Sequence, residues 1–126
     1  MKQNIIADKS KTFAVRVVRL YQHLIKTKCE FVLSKQLLRS GTSIGANVHE
    51  AIRAQSKKDF VSKMNIALKE ASESSYWIEL LHETDYLTTQ EFESIYSDCT
   101  EINRLLVSIV KTANKKGNAK CSMQNT

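Results

Sequence analysis

The chain has 126 residues, which is enough for one domain with a hydrophobic core of its own. Its formal net charge of +6 favours a nucleic acid or an acidic protein as partner. Three widely separated cysteines exclude a disulfide framework and a zinc site, and no segment resembles a signal peptide or a membrane span, so we expect a cytoplasmic protein without a membrane partner.

Long helices are predicted because the chain has no proline and only three glycines. Four segments space their apolar and small residues at steps of three and four, which is the helical period. These positions are Phe13, Val17, Leu20 and Leu24; Leu37, Gly41, Ile44, Val48 and Ala51; Phe60, Met64, Ala67, Ala71, Ser74, Ile78 and Leu81; and Phe92, Ile95, Cys99, Ile102, Leu106, Ile109 and Ala113. Such a repeat is typical of helices packed at small crossing angles.

The segments are separated by recognisable helix ends. The first connection lies within Lys26–Ser34, and Ser56 followed by Asp59 is typical of a helix N-cap. Thr88 and Glu91 have the spacing of a capping box, which places a turn at "HETDYL". We predict an all-α, up-down antiparallel four-helix bundle over residues 1–115 and a polar, disordered tail over residues 116–126.

The stretch "RSGTSIGANVHEA", residues 39–51, is rich in weak helix formers and is open to two interpretations. A phosphate-binding loop would require a preceding strand, which the sequence does not provide. A helix explains the unbroken apolar period, and Gly41 and Gly45, four residues apart, would then let a neighbouring helix approach closely. We favour the helix.

A stripe of polar residues borders the face of this helix that contains the two glycines. It comprises Ser40, Ser43, Asn47 and Glu50. Half-buried polar groups require hydrogen-bond partners, so the stripe either sets the register against another helix or faces water. We favour the structural role.

Most of the chain resembles a known family, and the clearest likeness lies in one central segment. The segment is "LLRSGTSIGANVHEAIRAQSKKDFVSKMNIALKEASESSYWIELLHETDYL", and the likeness extends over roughly residues 10–115. At its centre are Arg39, Ser43, Ile44, Asn47, Glu50, Ala51, Lys69, Glu70, Ala71, Tyr76 and Trp77. In these residues the chain resembles the bacterial 23S rRNA intervening sequence proteins, which include the accessory protein of diversity-generating retroelements. Many members have glycine where this chain has Ala51.

The resemblance implies a homopentameric, barrel-like assembly of four-helix bundles with a basic surface. For the retroelement branch it also implies contact with nucleic acid and with a reverse transcriptase. Most members of the family have no assigned activity, so the resemblance says more about the fold than about the function.

The residues themselves predict no catalytic or metal site and no cofactor. A carboxylate-bridged metal pair in a bundle needs two Glu-x-x-His pairs, and only Glu79 and His82 form one. The chain lacks a Gly-x-Ser-x-Gly nucleophile motif, and Cys99 lies in a predicted core stripe.

Basic residues form rows on the first two predicted helices. The candidate nucleic-acid-binding residues are Lys9, Arg16, Arg19 and Lys26 on the first helix, and Lys35, Arg39 and Arg53 on the second. Such rows suit a phosphate backbone and predict salt-sensitive binding without sequence preference. The other interpretation is a pair of solvated helix faces.

Apolar residues outside the core stripes predict contact between subunits. These candidates are Val15, Val18 and Ile25 on the first helix and Trp77 on the third. We therefore predict a non-enzymatic homo-oligomer that binds RNA or DNA, with a reverse transcriptase or another acidic protein as a further partner. The alternative is a protein-interaction scaffold without nucleic-acid binding.

Overall fold

The computed structural model describes the backbone of residues 2–124 and the side chains of residues 3–115. Within these residues the chain forms four helices and no strand: α1 (Lys2–Lys26), α2 (Leu33–Ile52), α3 (Lys57–Glu83) and α4 (Thr89–Gln124). The predicted all-α class is confirmed.

The helices alternate in direction and close into a bundle. Each helix packs against the next one along the chain, and α1 also packs against α4. Lys9 pairs with Glu101 whereas Arg16, further along α1, pairs with Asp98, so α1 and α4 are antiparallel. In the described residues no Cα atoms of α1 and α3 approach within 8 Å of each other, so these two helices occupy diagonal positions. Each helix therefore has two neighbours and one face turned away from the bundle.

The predicted caps of α3 and α4 are present. The Asp59 backbone N–H donates to Oγ of Ser56 (3.1 Å). The Thr88 N–H donates to Oε1 of Glu91 (2.8 Å), and the Glu91 N–H donates to Oγ1 of Thr88 (3.1 Å). Both ends of the capping box thus satisfy N–H groups that a helix start leaves without partners.

The connection between α1 and α2 contains a cap that the sequence pattern did not reveal. The carboxylate of Glu30 accepts the backbone N–H groups of Val32 (3.0 Å), Leu33 (2.8 Å) and Ser34 (2.7 Å). Burial of Glu30 alone would raise its pKa, but these three donors outweigh burial and the pKa is lowered. One buried side chain therefore satisfies the start of α2.

Residues 39–51 are helical, and they lie close to α1 as predicted. A Cβ atom placed on Gly41 would lie 2.9 Å from Cγ2 of Val17, and one on Gly45 would lie 3.4 Å from the Ser10 carbonyl oxygen. Gly41 is therefore required by a tight side-chain contact, whereas Gly45 leaves ordinary van der Waals space.

The core follows the predicted stripes. Phe13, Val17, Ile44, Met64 and Ile78 are completely or almost completely buried. Cys99 is buried as well, and this burial raises its pKa to about 11. Its thiol is therefore protonated at neutral pH and packs as a small apolar group.

Helix α4 continues beyond the predicted domain boundary. Its backbone is helical to Gln124, so it includes residues 116–124 of the segment for which the sequence predicts a disordered tail. Residues 125 and 126 of that segment lie outside the described part of the chain.

Candidate nucleic-acid interface

Two of the four candidate cations on α1 are engaged by acids of α4. Nζ of Lys9 lies 2.6 Å from Oε1 of Glu101, and the hydrogen bond and attraction between the two raise the pKa of Lys9. Arg16 forms an ion pair with Asp98 and donates to Oγ of Ser94 (2.8 Å). These two cations link α1 to α4, which reduces the positive charge that they present to solvent.

The other two candidates on α1, Arg19 and Lys26, are exposed. The described residues provide no ion-pair partner for either. Beside Arg19 lies an open groove of about 450 Å³ between α1 and α4, lined also by His23 and Glu91. Arg16 lines this groove as well, so two guanidinium groups and one carboxylate border it.

The three remaining candidate cations, Lys35 and Arg39 on α2 and Arg53 directly after it, differ in their surroundings. Arg39 forms ion pairs with Glu70 (3.3 Å) and with Glu73, both on α3. Arg53 lies against the ring of its neighbour His49, 3.0 Å from Nδ1. Lys35 is exposed without an ion pair among the described side chains. Of the seven candidates, Lys9, Arg16 and Arg39 thus have acidic partners within the chain.

The polar stripe of α2 is satisfied within the subunit. Oγ of Ser43 donates to the Arg39 carbonyl (2.6 Å), and Nδ2 of Asn47 donates to the Ser43 carbonyl (2.8 Å). Glu50 pairs with Lys63 of α3 (3.0 Å). Ser40 is buried, and its hydroxyl accepts from Ser74 of α3 (2.9 Å). The contacts that cross between helices therefore come from Ser40 and Glu50, at the two ends of the stripe.

The candidate subunit contacts lie on two different faces. On α1, Val15 and Val18 are 44% and 37% exposed, and Ile25 is half-buried. On α3, Trp77 is half-buried, its Nε1 donates to Glu73 (3.3 Å), and its ring packs edge-on against exposed Tyr76. Since α1 and α3 are diagonal, the two apolar patches face different directions.

Other exposed apolar residues escaped the sequence analysis, and two of them are the most exposed large apolar side chains among the described residues. Phe31 and Val32, in the connection before α2, are 61% and 69% exposed. No periodic signal marks them, because they lie outside the helices.

No metal site is found among the described side chains, where no three His, Cys, Asp or Glu residues cluster. The rings of His82 and Phe92 stack with centroids 4.2 Å apart, and Glu79 accepts from the hydroxyl of Tyr96 (3.0 Å). Both members of the single Glu-x-x-His pair are therefore used in the contact between α3 and α4. In the described residues, no helix combines the length and the hydropathy needed to span a bilayer.

Comparison with known proteins decides the family. The family model described as 23S rRNA-intervening sequence protein matches residues 2–108. The chain belongs to the 23S rRNA-intervening sequence protein family. This confirms the resemblance found in the sequence.

A solved structure of a related protein has the same fold. It is a protein of unknown function from the S23 ribosomal protein family of Bacteroides thetaiotaomicron VPI-5482, 60% identical to this chain. The alignment covers 88% of this chain and 99% of the other, with a TM-score of 0.87. No curated protein sequence matches the chain.

Several residues that carry the likeness to the 23S rRNA-intervening sequence proteins hold α2 against α3. Arg39 pairs with Glu70, and Glu50 pairs with Lys63. Ala51 is buried in the core. In this family member, these motif positions therefore secure the bundle.

Proposed function

We propose that this 23S rRNA-intervening sequence protein is a non-enzymatic, homo-oligomeric scaffold that binds the phosphate backbone of RNA or DNA. The observation that carries the proposal is the excess of cations over acids, +6 in all. The ion pairs between helices in the described residues use four cations and five acids, so they neutralise none of this excess. The description of the family names an intervening sequence of 23S rRNA, which favours RNA. The resemblance to the retroelement branch implies a reverse transcriptase as a further partner, and the positive net charge favours another acidic protein as the alternative. The cytoplasm is the expected compartment.

Binding of this kind is driven by the release of counterions from the nucleic acid. Each phosphate contact adds to the salt dependence, and several subunits held together multiply a weak contact through avidity. Two observations support self-assembly: the exposed patch at Val15 and Val18 on α1, and the exposed ring of Tyr76 beside Trp77 on α3. Two different patches on one subunit suit a head-to-tail ring. The family resemblance implies a pentamer.

We expect the purified protein to bind fluorescein-labelled RNA and DNA of unrelated sequences with similar affinity. With about four phosphate contacts, the affinity falls by about a hundredfold between about 50 and 200 mM salt. Fluorescence anisotropy at several salt concentrations measures this effect. Absence of binding, or affinity that does not change with salt, contradicts the proposal. That result favours the alternative, a protein-interaction scaffold, which the exposed side chains of Phe31 and Val32 would suit.

We expect the wild-type protein to have a mass several times the 14.3 kDa of one chain in light scattering. The double variant Val15→Asp, Val18→Asp should shift the mass towards that of one chain, because it buries unpaired charge at the contact. Val32→Asp, at an even more exposed apolar position outside the candidate contacts, is the control and should leave the mass unchanged. A wild-type mass of 14.3 kDa contradicts the oligomer.

A further inference from the structure

Positive and negative charges are separated along the axis of the bundle. The rows of basic residues that the sequence predicts on α1 and α2 do not reveal this separation. Because the helices alternate in direction, one end of the bundle collects the start of α1, the α2–α3 turn and the last turns of α4. We call this part, residues 3–11, 50–63 and 101–115 of the described side chains, the basic end. It contains nine Lys or Arg and four Asp or Glu. The opposite end, residues 22–36 and 76–94, contains three Lys or Arg and six Asp or Glu.

Helix α4 contributes most to this separation. After Glu101 the sequence has no further acidic residue. The basic residues in residues 102–126 are Arg104, Lys111, Lys115, Lys116 and Lys120. The backbone of α4 is helical to Gln124, about 14 Å beyond Lys115 at 1.5 Å per residue. Beyond Glu101, the described side chains of α4 therefore add positive charge and no negative charge.

The packing of α3 on α4 brings further cations to the same place. Nδ2 of Asn103 donates to the carbonyl of Ala71 (3.3 Å). Continuing this antiparallel register places Lys115 level with the first turn of α3, which contains Lys57 and Lys58. These basic residues come from two neighbouring helices and meet at one end.

The cations of this end are available to a ligand. Lys57, Lys58, Lys111 and Lys115 are exposed, and the described side chains include no ion-pair partner for any of them. Lys9, Arg16 and Arg39, by contrast, are paired with acids of neighbouring helices. Lys111 and Lys115 are one helical turn apart, with about 6 Å between their Cβ atoms.

Helix dipoles do not oppose this charge. Helices α1 and α3 begin at the basic end and present positive partial charge there, whereas α2 and α4 run towards it and present negative partial charge. Because two helices of each direction meet, their contributions largely cancel. The side chains therefore determine the sign of the potential.

We infer that the basic end, and not the row of cations on the outer faces of α1 and α2, is the surface that binds the phosphate backbone of a nucleic acid. This inference rests on the proposed function. Phosphates are attracted to the basic end and repelled by the opposite end, where acids outnumber cations. The bundle therefore meets the nucleic acid end-on. In a closed ring every subunit presents this end in the same sense, and the contacts add.

Two variants test the two surfaces separately. Each one replaces four cations by glutamine and so lowers the net charge from +6 to +2. The basic-end variant is Lys57→Gln, Lys58→Gln, Lys111→Gln, Lys115→Gln. The matched control is Arg19→Gln, Lys26→Gln, Lys28→Gln, Lys35→Gln, all at exposed positions of α1, its following turn and α2. Binding to labelled duplex RNA is measured by anisotropy as a function of salt. We expect the basic-end variant to lose about 3 units of slope in log affinity against log salt, and the control to keep nearly the wild-type slope.

Each remaining outcome overturns the inference. Equal losses mean that net charge alone matters, and a larger loss in the control assigns binding to α1 and α2. In both cases wild-type binding still supports the proposed function, whereas absence of wild-type binding ends both. Anionic phospholipid vesicles that displace the RNA at equal phosphate concentration assign the surface to lipid.

A second measurement avoids variants altogether. Photocrosslinking of wild-type protein to RNA, followed by mass spectrometry, should label peptides from residues 54–63 and 104–115. Labelling confined to residues 12–36 overturns the inference. Circular dichroism confirms that both variants keep the helical content of the wild-type protein.

Discussion

Gly41→Ala is expected to destabilise the bundle, while Gly45→Ala, four residues away on the same helix, is expected to stabilise it. At Gly41 the new methyl group would lie 2.9 and 3.0 Å from the two γ-methyl groups of Val17. Val17 is completely buried, and a β-branched side chain in a helix strongly prefers one χ1 rotamer, so we expect α1 and α2 to separate slightly. Overpacking of this kind costs about 1–3 kcal/mol, and alanine recovers only about 1 kcal/mol of helix propensity.

At Gly45 the same change meets the Ser10 carbonyl oxygen at 3.4 Å, which is ordinary contact. The gain in helix propensity, up to about 1 kcal/mol, should then dominate. Gly45→Ala is thus a control in which the same substitution is expected to change the free energy of unfolding in the opposite direction.

Urea denaturation followed by circular dichroism, at one fixed protein concentration, measures both variants. A double-mutant cycle identifies the cause. Val17→Ala removes the methyl groups that clash with position 41, so Gly41→Ala should cost less in that background than in the wild-type protein. The close approach of α1 and α2 is contradicted if the losses in free energy of unfolding of Gly41→Ala and Val17→Ala simply add in the double variant. It is also contradicted if Gly41→Ala stabilises the protein.

Glu30→Gln is expected to lower the free energy of unfolding by about 2–3 kcal/mol, because hydrogen bonds to a charged group are lost at a buried site. Only one of the two side-chain oxygens remains as an acceptor, and the new NH₂ group faces backbone N–H donors at the start of α2. The buried position also excludes water from replacing the lost acceptor.

The effect of this substitution should depend on pH. The pKa of Glu30 is lowered below its ordinary value of 4.5 in the folded protein, so the unfolded chain binds the proton first as the pH falls. The stabilisation is complete above about pH 4.5 and disappears as the pH falls through the lowered pKa. The difference in stability between wild type and Glu30→Gln should shrink over that range.

Denaturation at pH 7 and at a series of pH values below 4.5 tests this prediction. Glu93→Gln, which makes the same charge change at an exposed position of α4, is the control. A loss for Glu30→Gln no larger than that for Glu93→Gln, or one independent of pH, contradicts the capping role.

Local signals in the sequence predicted the helices and most of their ends. The pairs Ser56 with Asp59 and Thr88 with Glu91 act within one helical turn, so their spacing alone specifies the cap. Glu30 was missed because its carboxylate caps from within the connecting turn, where no periodic pattern operates. The two glycines were predicted to act alike, and only the distances to Val17 and Ser10 separate them.

The candidate site was less predictable than the fold. No acidic residue interrupts the row of cations on the face of α1. Two members of the row nevertheless pair with Asp98 and Glu101, which lie more than eighty residues away along the chain. Arg39 likewise meets acids that lie about thirty residues further along the chain. A helical period shows which face a residue occupies but not which charges the neighbouring helix brings to it.

By itself, therefore, the sequence determined the all-helical class, the four apolar stripes, two of the caps and the family, because each depends on spacing within a helix or on residue identity. The tertiary structure alone decided which cations are neutralised, which glycine lies in a tight contact, and that the positive charge collects where α2 meets α3 beside the end of α4. The reason is that charges interact through space. Antiparallel packing brings together residues that are far apart along the chain, and no local pattern encodes that encounter.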